Sequence, residues 1–492
     1  MTGRGKAWPL QVGCILKLCV AAFVGLSIVG TAWAEPLHEA LSSAYLFNPK
    51  LKAKRSELRA TDEEVPIAKS GFRPRIIGTL ERSFEDRSSK PPPTGSTVYS
   101  NSYSIALSQP IFRGFRTINA VRGAEATVEA AREELRSTEQ TVLLEAVTAY
   151  MDVFRDEAIL RLQLNNQAVL TEQLRAAEDR FEVGEVTRTD VAQARARRSG
   201  AISAVSSARA NLQVSRAAYQ RVIGKMPTGV SDPGIPGKFL PRSQEEALQI
   251  GEGENPLILA AIFRERAGEH RVKQIKGELL PEINLEASYT KSMEPTDKIN
   301  EADTTIVAGR MTVPLYQAGE VSARIRQAKE RQSQLLQLID EAREQVRADV
   351  ISSWSLYEAA RAQIVSAQAQ VEANRIALAG VREEEKVGQR TLLDVLDAEQ
   401  ELLDSEVSLV TARRDLVVAA YSLLASIGRF SAAEVALAVE LYDPTQNYRR
   451  VRNKIWGWST SVESLEDPVV APVTDPGRTQ DQPYGDGPAY RR

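Results

Sequence analysis

A mainly α, α+β fold built from two copies of one unit is what the sequence predicts, and three observations predict it. The chain repeats itself: Pro110 matches Pro314, Gly184 matches Gly388, Asp190 matches Asp394 and Gly224 matches Gly428, all at an offset of 204. Two long stretches, from about Arg116 to Glu182 and from about Glu320 to Lys386, contain no proline and are rich in Ala, Glu, Gln, Leu and Arg. Four shorter segments alternate apolar and polar residues. A repeat is the first thing to establish, because each copy is one structural unit.

A second set of matches, Asn48-Pro49 with Asn255-Pro256 and Pro74 with Pro281, runs at an offset of 207. The difference falls in a loop, around residues 88–97 in one copy and 295–303 in the other. The first repeat spans 35–224, with a helix, strands at about 72–87 and 98–112, a long helix at about 116–183 and a return helix at about 187–224. A Pro- and Gly-rich linker covers 225–245. The second repeat spans 246–428, with a helix, strands at about 281–293 and 304–316, a long helix at about 320–387 and a return helix at about 391–428. Residues 429–492 form a tail, expected to be largely disordered after about 467. Within it Ile455, Trp456 and Trp458 stand out as candidates for docking on the body.

The long stretches use strong helix formers. In the second, Val321, Ile325, Ala328, Gln332, Leu335, Ile339, Ala342 and Val346 follow a 4-3 spacing, a coiled-coil seam. The return helix keeps a stricter heptad at Leu396, Leu403, Val410, Val417 and Leu424. Its first-copy counterpart is packed with Ala and Ser, which lets helices approach closely. A long helix reaches roughly 100 Å and a return helix roughly 55 Å. The segment from about Pro49 to Gly71 (Pro256 to Glu278 in the second copy) adds roughly 35 Å. Two short helices stacked end to end therefore nearly match one long one, which predicts a rod. Gly184 and Gly388 suit helix C-termini, because glycine tolerates the left-handed conformation. Thr187 and Thr391 suit the N-caps that follow. These tight turns form the far tip.

The strands carry a period of two. Ile283, Leu285, Ala287, Tyr289 and Met293 alternate with Glu282, Asn284, Glu286, Ser288 and Ser292, and Tyr99, Tyr103, Ile105 and Leu107 alternate with serines. Such a pattern fits a soluble sheet with one buried face or a membrane barrel with a wet interior. At roughly 11 residues each strand is long enough to cross a bilayer when tilted. Four strands cannot close a barrel, and spanning structures need closed edges. Two chains give eight strands and a filled barrel, three give twelve and room for a pore. Arg310 and Glu286 fall on the polar strand faces.

The formal charge of −3 gives no sign of a nucleic-acid partner. Residues 1–34 read as an export signal: Arg4 and Lys6, an apolar run from Leu18 to Val29, then Ala32-Trp33-Ala34. An uncleaved N-terminal anchor is the alternative. Both cysteines, Cys14 and Cys19, lie in that segment, so the exported part has no thiolate metal site. His38 and His270 show no zinc spacing, and neither a phosphate loop nor a nucleophile elbow is present. An enzyme is not expected, nor a cofactor or a metal.

The corners Gln109-Pro110-Ile111-Phe112 and Val313-Pro314-Leu315-Tyr316 recur at strand-to-helix junctions. The turns add Arg180-Phe181-Glu182-Val183-Gly184 and Val387-Gly388-Gln389-Arg390-Thr391-Leu392-Leu393-Asp394-Val395-Leu396-Asp397-Ala398. Over residues 36–430 the chain resembles the TolC family of outer-membrane efflux and secretion channels. The resemblance implies a homotrimer with one twelve-stranded barrel in outer-membrane lipid, continuous with a long α-helical coiled-coil barrel through the periplasm. It also implies docking to a periplasmic adaptor and an inner-membrane transporter of RND or ABC type, for drug efflux or type I secretion. A soluble periplasmic coiled-coil adaptor or scaffold is the alternative.

Asp394 and Asp397 lie three apart at a helix start, so both project from nearly one face. On their own they are N-terminal acids that suit the helix dipole. The resemblance places them at the periplasmic constriction, where three copies would present six carboxylates, raise some of their pKa values and attract cations. It also implies that Arg390 links to Thr189 and Asp190 on a neighbouring helix pair and helps hold the mouth shut. Glu385 departs from the family pattern, which often has a tyrosine there, and cannot reproduce its hydrogen bond at neutral pH. Carbonate or Sarkosyl extraction of envelopes tests the membrane reading: a barrel stays with the membrane, and recovery in the soluble fraction would favour the adaptor.

Overall fold

The structure is a computed structural model, and it describes residues 35–89, 94–296 and 299–460. The expected export signal and the tail beyond 467 lie outside the described residues.

The first copy comprises α1 (Leu37–Phe47), α2 (Pro49–Asp62), α3 (Glu64–Lys69), β1 (Arg75–Ser89), β2 (Thr94–Arg113), α4 (Arg116–Glu182) and α5 (Arg188–Ile223). The second comprises α6 (Gln244–Glu254), α7 (Pro256–Lys276), β3 (Glu282–Thr296), β4 (Ile299–Thr312), α8 (Glu320–Lys386) and α9 (Leu392–Ser426). A short α10 (Gln446–Val451) follows. The two copies differ at one helix. Pro66 has no N–H to donate to the carbonyl of Asp62, so the segment that is one helix in α7 is broken at Glu63 into α2 and α3.

Several boundaries differ from expectation. Residues 70–72 form a 3-10 turn, so β1 begins at Arg75 rather than 72. β2 runs through Pro110 because a bulge between Pro110 and Phe112 absorbs the missing donor. β4 instead spans Ile299–Thr312, earlier than the expected 304–316, and Pro314 sits beyond the sheet in the corner. α6 starts at Gln244, inside the expected linker. The chain from Gly428 to Leu437 is not part of a loose tail: Phe430, Ala432 and Leu437 are buried in the core.

Both long helices have 67 residues, which is about 100 Å. Each lies beside a pair of short ones, as the lengths require: α4 packs against α5 and against α2 and α3, and α8 against α9 and α7. The stacking point is built the same way twice. The Asn48 carboxamide oxygen accepts from the backbone N–H of Lys50 (2.9 Å) and caps α2, while its Nδ2 donates to the Val222 carbonyl at the end of α5 (2.9 Å). Asn255 caps α7 through Leu257 N–H (2.9 Å) and donates to the Ser426 carbonyl at the end of α9 (2.8 Å). One side chain thus satisfies an orphan donor of one helix and an orphan acceptor of the other. Tyr150, Tyr219, Ile223, Leu51, Ile258, Leu423 and Phe430 form the apolar core around these joints.

The two long helices are not equivalent. α4 also packs against α7 and α9 of the second copy, so it is flanked on both sides. α8 buries a seam that includes Val321, Ala328, Ile339 and Val346, the spacing expected from sequence, and leaves Leu356, Val365 and Ile376 exposed on its free flank. In α9, Leu396, Leu403, Val417 and Leu424 are buried as their heptad predicts.

The four strands form one antiparallel sheet in the order β1-β2-β3-β4. The register puts Ile76 opposite Leu107 and Leu80 opposite Tyr103, so one face is apolar, and the Phe84 and Tyr99 rings meet at 5.2 Å. The other face carries serines and threonines, and there Arg310 Nε donates to Glu286 Oε2 (3.0 Å). Leu80 is 78% exposed, so the apolar face has no cover from the described residues. No helix among the described residues is long and apolar enough to cross a membrane. Where β2 enters α4 the two copies cross closely: a Cβ on Gly114 would clash with the Gly277 carbonyl oxygen.

The joints make a measurable demand. Asn48→Ala removes a cap, about 1–2 kcal/mol, and leaves the buried Val222 carbonyl without its donor, about 1 kcal/mol more. Thermal unfolding should shift down for it and for Asn255→Ala. Asn48→Ser, which keeps an acceptor and loses the amide, should fall between. Wild-type stability in Asn48→Ala would show that the joint is held by packing alone.

Candidate functional site at the helical tip

Each long helix ends in the same motif. At the end of α4, Gly184 takes φ +81°, with Gly184 N–H donating to the Phe181 carbonyl (3.0 Å) and Glu185 N–H to the Arg180 carbonyl (2.9 Å). At the end of α8, Gly388 takes φ +76°, with the matching bonds to Glu385 and Glu384 (both 2.9 Å). This is the left-handed glycine stop that both positions were expected to supply. The return helices then start on capping boxes. Thr187 Oγ1 accepts from Asp190 N–H (3.3 Å), while Asp190 Oδ2 accepts from the Thr187 N–H (2.8 Å). Thr391 and Asp394 repeat these bonds at the same distances.

Asp394 is therefore first of all a cap. The Thr391 backbone N–H and hydroxyl hold its carboxyl below the usual aspartate range, with a smaller contribution from Arg390. Within the chain this is opposite to the upward shift expected of a carboxylate ring. Asp397, one turn on, is differently engaged: Arg197 on α5 donates to it across the two hairpins. The two acids share a face but not a role.

The expected link from Arg390 to Thr189 and Asp190 is not formed within one chain. Arg390 Nε donates to Glu384 Oε2 of its own hairpin (3.0 Å), and one oxygen of Asp190 is committed to its cap. The hairpins are joined elsewhere. Glu385, the departure from the family pattern, accepts from Arg180 Nη1 across α4 and α8 (2.7 Å). A second junction lies deeper. Glu399 on α9, 7% exposed, accepts from Gln173 Nε2 on α4 and from Arg382 Nη2 on α8 (both 2.7 Å). Charge-assisted bonds of this kind are the stronger ones. Sequence reading placed Arg180 in the turn motif without a linking role, and did not single out Arg197, Gln173, Arg382 or Glu399. The available signal was complementary charge at near-equivalent places in the two copies, as with Arg180 and Glu385.

Between the hairpins runs a cleft of about 900 Å³, lined by Leu164, Ala176, Val186 and Leu392 with Arg180 and Glu385 among its polar walls. Among the described residues, no group of three or more His, Cys, Asp or Glu is placed to hold a metal ion. Pro110 and Pro314 lie far from this tip in sequence, at the strand-to-helix corners.

The model of the outer membrane efflux protein family matches residues 40–225 and 247–429, which are the two copies. The chain is 40% identical over 455 residues to the outer membrane efflux protein BepC of Brucella suis, covering 91% of this chain and 98% of that protein. It is 24% identical over 429 residues to the outer membrane protein TolC of Vibrio cholerae, covering 86% and 97%. Among solved structures, the CmeC outer membrane channel of Campylobacter jejuni superposes with a TM-score of 0.73 at 16% identity, covering 85% of this chain and 90% of that one. A soluble adaptor is disfavoured, since both strand-bearing copies match an outer-membrane family over nearly their full length. Two matched segments that coincide with the two repeats, and a relative of this identity along almost its whole length, make the chain a member of the outer membrane efflux protein family: a channel protein of the outer membrane, and not an enzyme.

Proposed function

We propose that three copies of the chain form the exit duct of a tripartite efflux pump, held closed at the periplasmic tip by links between helical hairpins. The observation that carries the gate is the pair of cross-hairpin bridges, Arg180 with Glu385 and Arg197 with Asp397. Exposed bridges contribute about 0–1 kcal/mol each. A mouth held by such bonds is shut in the resting state yet opened by a modest docking energy. The Gln173–Glu399–Arg382 junction, buried deeper, is the fulcrum about which the tip moves.

Trimeric closure is supported by what one chain leaves open. β1 and β4 present free edges, which cannot persist in lipid, and α8 presents a free flank. Closed rotational symmetry meets both demands at once. In the trimer Asp394 and Asp397 ring the mouth, with Arg197 offsetting part of the charge, and Arg390 reaches Thr189 and Asp190 of the next copy. The cleft between the hairpins receives the tip of a periplasmic adaptor, which couples the duct to an inner-membrane transporter. BepC, the relative at 40% identity, is named an efflux protein, and that favours efflux as the duty of this duct.

Single-channel conductance in planar bilayers tests the gate. Arg180→Ala with Arg197→Ala should raise conductance about two-fold or more, as should Arg390→Ala with Asp190→Ala, each removing bonds worth about 1 kcal/mol. Wild-type conductance in both pairs would remove the links from the mechanism.

Acidity acts on the same turn. Asp394 has its pKa depressed on folding, so its cap contributes fully above the ordinary aspartate value of 3.8 and is lost as pH falls through the lower folded value. Amide exchange across residues 387–395 should accelerate only below that value, and Asp394→Asn should abolish the step. Acceleration already near neutral pH would assign the loosening to another group.

A further inference from the structure

The chain after α10 climbs the body to the level where the sheet begins, and there presents a cluster of bare aromatics. Val451 is buried and anchors the segment. Arg73 Nη1 donates to the Lys454 carbonyl (3.0 Å), and Lys69 Nζ donates to Asn453 Oδ1 (3.1 Å). Lys454 Nζ then donates to the Ser459 carbonyl (2.8 Å) and closes a small loop, with Gly457 at φ +100° making its bend. The loop turns its apolar side chains outward: Ile455 is 76% exposed, Trp456 88% and Trp458 95%. The expectation that these three dock on the body is thus corrected. The backbone docks, and the side chains do not.

Arg73 stands three residues before Ile76, the first apolar residue on the outer face of β1, a separation of at most about 10 Å. The tryptophans therefore lie at the edge of the sheet's apolar band. Phe72 and Ile67, beside the loop's anchors in sequence, are exposed as well. Between residues 444 and 460 the chain has Arg449, Arg450, Arg452 and Lys454 and no acid. An indole with an apolar body and one N–H donor suits the headgroup level of a bilayer, and clustered basic side chains suit anionic phospholipid.

We propose that Ile455, Trp456 and Trp458 form an interfacial anchor that inserts into the inner leaflet of the outer membrane, giving a trimer six tryptophans around the foot of the barrel. The anchor fixes how deep the sheet sits and keeps the helical part upright below it. This rests on the duct reading, since it places β1 to β4 in the bilayer.

The test uses residues 35–492 with Trp354→Phe, a chain whose tryptophans are Trp456 and Trp458. The trimer is reconstituted into bilayers of phosphatidylethanolamine and phosphatidylglycerol, and its conductance is recorded. Lipids brominated near the carbonyl should quench the emission about twofold more than lipids brominated near the chain end, as expected for indoles at headgroup depth, and aqueous iodide should have little effect. Quenching by iodide without quenching by lipid, in a conducting trimer, would overturn the anchor alone and show the loop to be in water. Protection from both quenchers in a conducting trimer would overturn it in favour of burial against the neighbouring copy. A chain that neither inserts nor conducts would overturn the duct reading and the anchor with it. Trp456→Ser with Trp458→Ser on this background should abolish the lipid-quenched emission while conductance persists.

Discussion

Two asparagines at equivalent places set the geometry of the molecule. A helix of 67 residues, about 100 Å long, cannot be covered by one return helix of about half its length. The chain covers it with two short helices in line, and a join between helix ends exposes orphan N–H groups on one side and orphan carbonyls on the other. Buried, these would be costly. Asn48 and Asn255 each turn an acceptor to the first and a donor to the second. The proline that follows each asparagine needs no donor partner at the first helical position. The core assembles around these joints, and everything above and below extends from them.

From this shared plan the two copies diverge by position. α4 has neighbours from both copies, whereas α8 has them on one side only. The same helix-forming composition therefore yields a central stave and an edge stave. The sheet repeats the asymmetry, with two inner strands paired on both edges and two outer strands paired on one. Unpaired strand edges at one level and an unpaired helix flank at another describe a single open seam along the molecule. A rotationally symmetric assembly closes such a seam without any new kind of contact.

At the tip the balance of forces changes. The core around the joints holds with apolar contact, but the two hairpins meet at their ends through charged and amide groups on partly exposed surfaces. Apolar packing is strong and insensitive to small displacements of partner charge. Exposed ion pairs are weak, directional and easily exchanged for others. A region built from the second kind of bond is suited to rearrangement, and one built from the first to staying fixed.

How much of this was written in the order of residues can be judged position by position. The offset between Gly184 and Gly388, and between Thr187 and Thr391, was enough to find the turns and caps, because such motifs depend on local backbone conformation alone. The seam from Val321 to Val346 followed from periodicity, since a helix face is a matter of spacing. The alternation in β2 and β3 gave the faces of the sheet for the same reason. What lay beyond reach were contacts between elements distant in sequence. That Asp397 meets Arg197, that Glu385 meets Arg180 rather than lying idle, and that Phe430 enters the core depend on how hairpins lean together. Local periodicity carries no record of that angle. Only the packed structure decides which charge of one stave faces which charge of the next.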